Sequence, residues 1–246
     1  MRTGRIVVIT GATGGMGSVI ADRFLSNGDI VVATDTRSDV LASFAAARHA
    51  GDRLVTVAAD VSKEDDCIKL TDAARERAGR IDVLVHSAGF FPIRRLEEMS
   101  VAEWRTVIDI NLTGAFLLTR AALPLMKTRG WGRIINFGSG SIFDGVSGQA
   151  HYVAAKAGII GFSRCIAREF GEYGITVNVV APGLTVTEPV KKHFPPELLE
   201  AQKKARAIRR DEVPEDVIGT TFFLASPDAD FVTGQMISVD GGKNMH

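Results

Sequence analysis

The chain has 246 residues, 46% of them hydrophobic, and its 29 basic side chains balance 29 acidic ones. That length and composition can bury a substantial core as one large α/β domain or two small ones, and the zero net charge removes any global pull towards nucleic acid or an anionic membrane. Cys67 and Cys165 are the two cysteines, with no CxxC spacing, so neither a disulfide scaffold nor a metal site is suggested and an intracellular, reduced setting is expected.

At the N-terminus, Met1 to Arg5 pass within a few residues into a strand, leaving no room for the apolar segment of a signal peptide. No apolar run approaches the ~20 residues of a membrane-spanning helix. The expectation is a soluble, cytoplasmic protein with neither membrane nor nucleic acid as partner.

The first β-branched run, Arg5 to Thr10, feeds into a glycine turn, Thr10-Gly11-Ala12-Thr13-Gly14-Gly15-Met16-Gly17, and a helix is predicted over Ser18 to Asn27. Strand, turn and helix in that order suit a nucleotide phosphate, because backbone N–H groups at a helix N-terminus favour an anion. Gly11 permits the tight turn, Gly15 lets the chain approach a pyrophosphate, and Gly17 allows close helix packing; Thr13, Gly14 and Met16 complete the cradle. The second run, Ile30 to Asp35, ends about 20 residues beyond the turn on a carboxylate that can accept hydrogen bonds from both adenosine ribose hydroxyls. Asp35, with Thr36 beside it, repels a 2′-phosphate and favours NAD over NADP, an effect that Arg37 partly offsets.

A third run, Leu54 to Ala59, leads to Asp60 and Val61. Asp60 suits either the adenine amino group or the N-cap of the helix that follows. The fourth run, Val83 to Ser87, contains His86, read as a packed, hydrogen-bonded strand residue. Ser87-Ala88-Gly89 and then Phe90, Phe91, Pro92 and Ile93 follow it, and a helical pattern over Val101 to Lys127 carries Asn111. After the fifth run, Arg133 to Phe137, come Ser139 and Ser141, two hydroxyls just beyond a strand end.

Tyr152 and Lys156 are four residues apart on one predicted helix and share a face. The ammonium is expected to lower the pKa of a phenol that ordinarily titrates near ~10, which makes a proton donor and acceptor. Spacing to Tyr152 favours Ser139 over Ser141 as its partner. Phe91, Ile142 and Leu184 are candidate walls of a pocket suited to an apolar or ring-bearing alcohol or ketone.

The sixth run, Ile175 to Ala181, ends at Pro182-Gly183, and the seventh spans Gln235 to Val239. Between them, Leu184 to Arg210 carries Pro189, Pro195, Pro196 and many mixed charges, and its position after a strand's C-terminal end suggests a substrate lid. Strands alternating with helices predict an α/β fold with a parallel sheet covered on both faces.

These residues resemble the short-chain dehydrogenase/reductases over essentially the whole chain. The matching pieces are Thr10-Gly11 with Gly15 and Gly17, Asp60-Val61, Ala88-Gly89, Asn111, Ser139, Tyr152 with Lys156, Pro182-Gly183 with Thr187, and Val239-Asp240-Gly241-Gly242. The resemblance implies a single doubly wound Rossmann-type domain over residues 1–246 with a central seven-stranded parallel sheet, assembled as a homotetramer or dimer. It implies that Tyr152 is the general acid in reduction and the base in oxidation, that Ser139 holds the reacting oxygen, and that Lys156 lowers the Tyr152 pKa and binds the nicotinamide ribose. Asn111 would hold a water in a proton relay, and Thr187, with Thr185 nearby, would meet the nicotinamide carboxamide.

Members commonly have Asn-Asn-Ala-Gly where this chain has His86-Ser87-Ala88-Gly89. The function these features favour is NAD-dependent interconversion of a secondary alcohol and a ketone. One alternative is reduction of 3-oxoacyl groups on acyl carrier protein with NADPH, against which stand Asp35 and the non-basic Tyr173. Another, of a different class, is a dinucleotide sensor without turnover, disfavoured because Tyr152 and Lys156 are both present.

Overall fold

The computed structural model describes residues 3–245, the side chains of Pro189 and His193 excepted, so Met1 and Arg2 of the expected leaderless start lie outside the described residues. The seven β-branched runs form β1 (Ile6–Thr10), β2 (Ile30–Asp35), β3 (Leu54–Ala58), β4 (Val83–His86), β5 (Gly132–Phe137), β6 (Ile175–Pro182) and β7 (Met236–Val239). They pair in the order β3-β2-β1-β4-β5-β6-β7, parallel throughout. The chain winds outward from β1 to β3 and then returns to place β4 on the other side of β1. That reversal opens a crevice beyond the carboxyl ends of β1 and β4, where open α/β sheets bind ligands.

The helices between the strands are α1 (Gly15–Ser26), α2 (Ser38–Arg48), α3 (Glu64–Ala78), α4 (Val101–Ile108), α5 (Gly114–Lys127), α6 (Ser141–Asp144), α7 (Ala150–Phe170), α8 (Glu188–His193), α9 (Pro196–Ala205) and α10 (Ile218–Leu224). They cover both faces because successive strand side chains point opposite ways. Val7 and Ile9 of β1 join Val31, Ile135 and Phe137 against Ile20 and Phe24 of α1 and Phe222 of α10. Ile6 and Val8 of the same strand join Leu84, Ile134 and Val177 against Leu70 of α3 and Leu118 and Ala122 of α5. Each such fully buried aliphatic side chain contributes about 1.5–3 kcal/mol.

The chain enters β1 through a buried arginine. Arg5 donates from Nε and Nη2 to the Asp29 carboxylate at 3.1 and 2.6 Å, and from Nη1 to the Ala225 carbonyl at 2.8 Å. Its guanidinium lies 5.1 Å from the Phe24 ring centre and 5.0 Å from that of Phe222. A buried charge of this kind is tolerated because its donors are matched by acceptors.

Three local expectations are corrected. Helix α1 begins at Gly15 rather than Ser18, since Gly14 takes the N-cap position without a side-chain cap and the glycine turn becomes the first helical turn. Asp60 does not cap α3, which starts after Lys63; its Oδ1 accepts instead from Ser62 N at 3.0 Å and Ser62 Oγ at 2.7 Å, a turn that precedes the helix. The helical run Val101–Lys127 is, by length and composition, long and apolar enough to cross a membrane, contrary to the expectation that no run approaches this. It lies on the sheet with Leu118, Ala122, Leu123 and Met126 buried, interrupted by a π turn at Asp109–Thr113. A capping box closes its start, with Glu103 N donating to Ser100 Oγ at 3.1 Å and Ser100 N to Glu103 Oε2 at 2.8 Å.

Candidate active site

A cavity of about 650 Å³ runs along the carboxyl edge of the sheet from the glycine turn and Asp35, past Ser87-Ala88-Gly89, to Ser139 and Tyr152. Its size lies in the range of small-molecule and cofactor sites. At the glycine end the N-terminus of α1 has no side-chain cap and no acidic residue in its first turn, so its N–H groups face the cavity without competition. At Gly15 a Cβ would lie 2.5 Å from Thr187 Cγ2, and at Gly17 it would collide with the Gly11 carbonyl oxygen. The chain therefore leaves a bare backbone cradle at a helix N-terminus, and the donor set fits a dinucleotide pyrophosphate.

Asp35 closes this end. Its Oδ2 accepts from Thr13 Oγ1, its Oδ1 accepts from Arg37 N at 3.2 Å, and Arg37 Nε lies 3.6 Å away. Thr13 therefore reaches the site through Asp35 and is not itself in the cavity wall. The Arg37 side chain is exposed and sits beside the Asp35 carboxylate.

At the other end, β5 delivers Ser139 and α7 delivers Tyr152 and Lys156. Ser139 Oγ accepts from Ser141 N at 3.2 Å and from Ser141 Oγ at 2.9 Å, which leaves its own proton to be donated towards the Tyr152 oxygen. Ser141 is thus a support for Ser139 rather than a rival. Burial pushes the Tyr152 phenol above its usual range and a hydrogen bond with Ser139 pulls it back in part. The expected downward shift is corrected: desolvation dominates and the net shift is upward, with the Lys156 ammonium 5.6 Å from the phenol ring centre and donating to Phe137 O at 2.7 Å. Burial also draws Lys156 itself down to about 8.

Asn111 lies on the π turn, fully buried, with Nδ2 donating to Phe90 O at 2.8 Å and Val107 O at 2.9 Å and Oδ1 accepting from Phe90 N at 3.3 Å. A Cβ built on Gly89 would meet Asn111 Oδ1 at 3.2 Å and Lys156 Nζ at 3.8 Å, so these three residues share one corner behind the cavity. The asparagine side chain thus ties the Phe90 loop to the helical turn at Val107. His86 is a packed strand residue, its Nδ1 3.1 Å from Thr10 Oγ1, which in turn accepts from Ala88 N at 3.1 Å. Burial holds its imidazole near a pKa of about 3, hence neutral.

The cavity floor is Gly183, Leu184, Thr185 and Thr187, beyond β6. A buried carboxylate holds it in place: Glu212 accepts from Gly183 N at 3.1 Å and from Thr185 Oγ1 at 2.8 Å, with Arg206 Nη2 3.5 Å away. Burial outweighs these partners and raises Glu212 to about 7. Sequence reasoning missed Glu212, since an acidic residue in a charged stretch reads as solvated.

Phe91 lines the cavity edge-on to Tyr152, with ring centres 6.0 Å apart. Thr36, Asp60, Val61, Pro182 and Ile142 do not line it. Its wall includes residues the sequence did not single out, among them Val146, Phe194 and Leu198 on the apolar side and Asp144, Lys243 and Asn244 on the polar side. Apolar residues spaced along and just beyond α8 and α9 could have marked Phe194 and Leu198; nothing local marks Val146 or the polar group.

The sequence model of a family described as enoyl-(acyl carrier protein) reductase matches residues 11–244. A 3-oxoacyl-[acyl-carrier-protein] reductase of Synechocystis is 38% identical over 246 residues, covering 99% of this chain and 98% of its own. A 2,3-dihydroxy-2,3-dihydro-p-cumate dehydrogenase of Pseudomonas putida is 40% identical over 247 residues, covering 98% of this chain and 95% of its own. Among solved structures, a short-chain dehydrogenase/reductase described as glucose/ribitol dehydrogenase, from Brucella melitensis, superimposes with a TM-score of 0.93 at 35% identity, covering 99% of this chain and 98% of that one.

Proposed function

Because this chain belongs to the short-chain dehydrogenase/reductase family, we propose that it is an NAD-dependent oxidoreductase interconverting a secondary alcohol and a ketone on an apolar or ring-bearing substrate. The observation that carries this reading is the meeting of Ser139 and Tyr152, with Lys156 behind them, at one end of the cavity whose other end is Asp35. A nicotinamide dinucleotide, when bound, supplies or accepts the hydride. The chain's own residues manage the oxygen. Ser139 donates to it, Tyr152 gives it the phenolic proton in reduction and takes that proton back in oxidation, and the Lys156 charge favours the phenolate left behind.

Burial of the neutral phenol and of the ammonium side by side supports this division of labour, since each group is held in a state that proton transfer changes. Asp35 supports NAD. The segment 184–210 is proposed as the lid, because Val190, Phe194 and Leu198 turn apolar side chains into the cavity from it. We also place the protein in the cytoplasm as a homo-oligomer, a dimer or tetramer, in keeping with exposed Val101, Trp104 and Phe116 on α4 and α5.

A second reading, reduction of 3-oxoacyl thioesters with NADPH, draws support from the Synechocystis relative and from Arg37 beside Asp35. Side-by-side affinities for NADH and NADPH, followed by turnover on ring alcohols and 3-oxoacyl thioesters, decide between them. Preference for NADH with ring-alcohol oxidation is the expected outcome; NADPH preference with thioester reduction would replace the first reading by the second.

A further inference from the structure

The residues beyond β7 fold back over the cavity and are held there by one buried carboxylate. Asp240, 2% exposed, accepts at Oδ1 from Gly242 N and Lys243 N at 3.0 and 3.2 Å, and at Oδ2 from Asn244 N and Asn244 Nδ2, both at 2.9 Å. Gly241 and Gly242 have φ of 69° and 75°, a left-handed conformation that lets the chain reverse so tightly. The reversed tail lies against the catalytic serine loop, since a Cβ on Gly140 would meet Asn244 Nδ2 at 3.1 Å.

This arrangement sets Lys243 into the cavity wall, where its Nζ donates to Asp144 Oδ2 at 2.6 Å from the end of α6. The Lys243 side chain is 16% exposed and that of Asp144 33%, so the pair sits at the edge of the cavity rather than in open solvent. The ion pair leaves ammonium protons and the second carboxylate oxygen unused, side by side in the polar part of the cavity wall.

We propose that Asp144 and Lys243 select a substrate carrying a second hydroxyl group, remote from the carbinol that is oxidised. A hydroxyl both donates and accepts, so it satisfies the carboxylate and the ammonium at once. A carboxylate would gain Lys243 but meet repulsion from Asp144, and a ketone or ester oxygen could accept from Lys243 but would offer no donor to the second Asp144 oxygen. The apolar surface of Phe91, Val146 and Leu198 then covers the body of the same molecule. The substrate class is an alicyclic or short-chain diol or polyol. This inference rests on the alcohol–ketone reading above and narrows it.

The test compares kcat/KM for cyclohexanol, the cyclohexanediols and a hydroxycyclohexane carboxylate in the full-length protein and in K243M, K243R and D144N, with NADH binding as the check that each variant is folded. A hydroxyl held by charged partners is expected to favour the best diol over cyclohexanol by about 10- to 100-fold. That ratio should collapse towards one in K243M and D144N and be largely kept in K243R. Equal use of diol and cyclohexanol by the parent overturns this inference and leaves the dehydrogenase reading standing. So does a diol preference that survives in both K243M and D144N, or a preference for the carboxylate. Absence of turnover on every alcohol with either dinucleotide overturns the dehydrogenase reading and this inference with it.

Discussion

Replacing Lys156 by Met probes the buried cation on which the proposed proton transfer depends. Lys156 is 3% exposed, donates to Phe137 O at 2.7 Å, and is drawn by burial from 10.5 to about 8. Below about pH 8 the amine is charged in the folded and the unfolded chain alike, and the folded state bears the cost of the buried charge. Between about pH 8 and about pH 10.5 the folded protein has released this proton while the unfolded chain still holds it, so stability rises with pH across that window. The gap corresponds to about 3 kcal/mol. Methionine fills a similar volume without charge; it removes that cost at neutral pH but leaves the Phe137 carbonyl without its donor, a loss of ~1–3 kcal/mol. Lys156→Met should therefore stay within about 2 kcal/mol of the parent at about pH 7 and fall behind by a further 2–3 kcal/mol or so at about pH 10. Urea unfolding followed by circular dichroism at both pH values measures this, and taking the difference between the two proteins cancels the other lysines. Parallel pH dependences for parent and variant would refute the argument.

Tyr152→Phe keeps the ring beside Phe91 and removes the phenolic proton; turnover should drop by about 10²- to 10⁴-fold while NADH binding, followed by fluorescence, is unchanged. Retained turnover would take Tyr152 out of the chemistry. Asp35→Ser removes the carboxylate that Thr13 and Arg37 now share, and the ratio of NADH to NADPH affinity should fall by about 10-fold or more; an unmoved ratio sinks the ribose assignment. Gly17→Ala drives a Cβ into the Gly11 carbonyl and should cost about 2–3 kcal/mol, lowering Tm by roughly 5–10 °C, whereas an unaltered Tm would mean that the turn relaxes freely.

What the sequence disclosed was whatever has a local signature. The β-branched runs became strands within a residue or so at each end, because a doubly covered parallel strand demands continuous apolar residues such as Val83, Leu84 and Val85. The glycine turn, Asp35, Ser139 and Tyr152 were legible because each sits at a strand end or at a fixed helical spacing. Asp144 and Lys243 were not, since their pairing joins residues 99 apart in the chain and depends on Asp240 turning the tail back. Glu212 was hidden for the same reason, its carboxylate meeting Gly183 and Thr185 across 29 and 27 residues. The sign of the Tyr152 shift escaped too: helical spacing announces the lysine, but the depth of burial that outweighs it is a property of the packed fold.

The guanidinium of Arg5 bears on how the molecule is made. It belongs to the first strand, yet one of its donors ends on the carbonyl of Ala225, 220 residues later, and its flat faces meet rings from α1 and α10. During synthesis that charge can pair early with Asp29, but its remaining acceptor and half of its aromatic enclosure become available only once Phe222 and Ala225 have emerged from the ribosome. Until then water solvates that guanidinium beside an apolar face that α10 has yet to cover, a face exposed in any partly folded chain. Locking of that face is expected among the last events of folding, whatever the order in which the strands assemble.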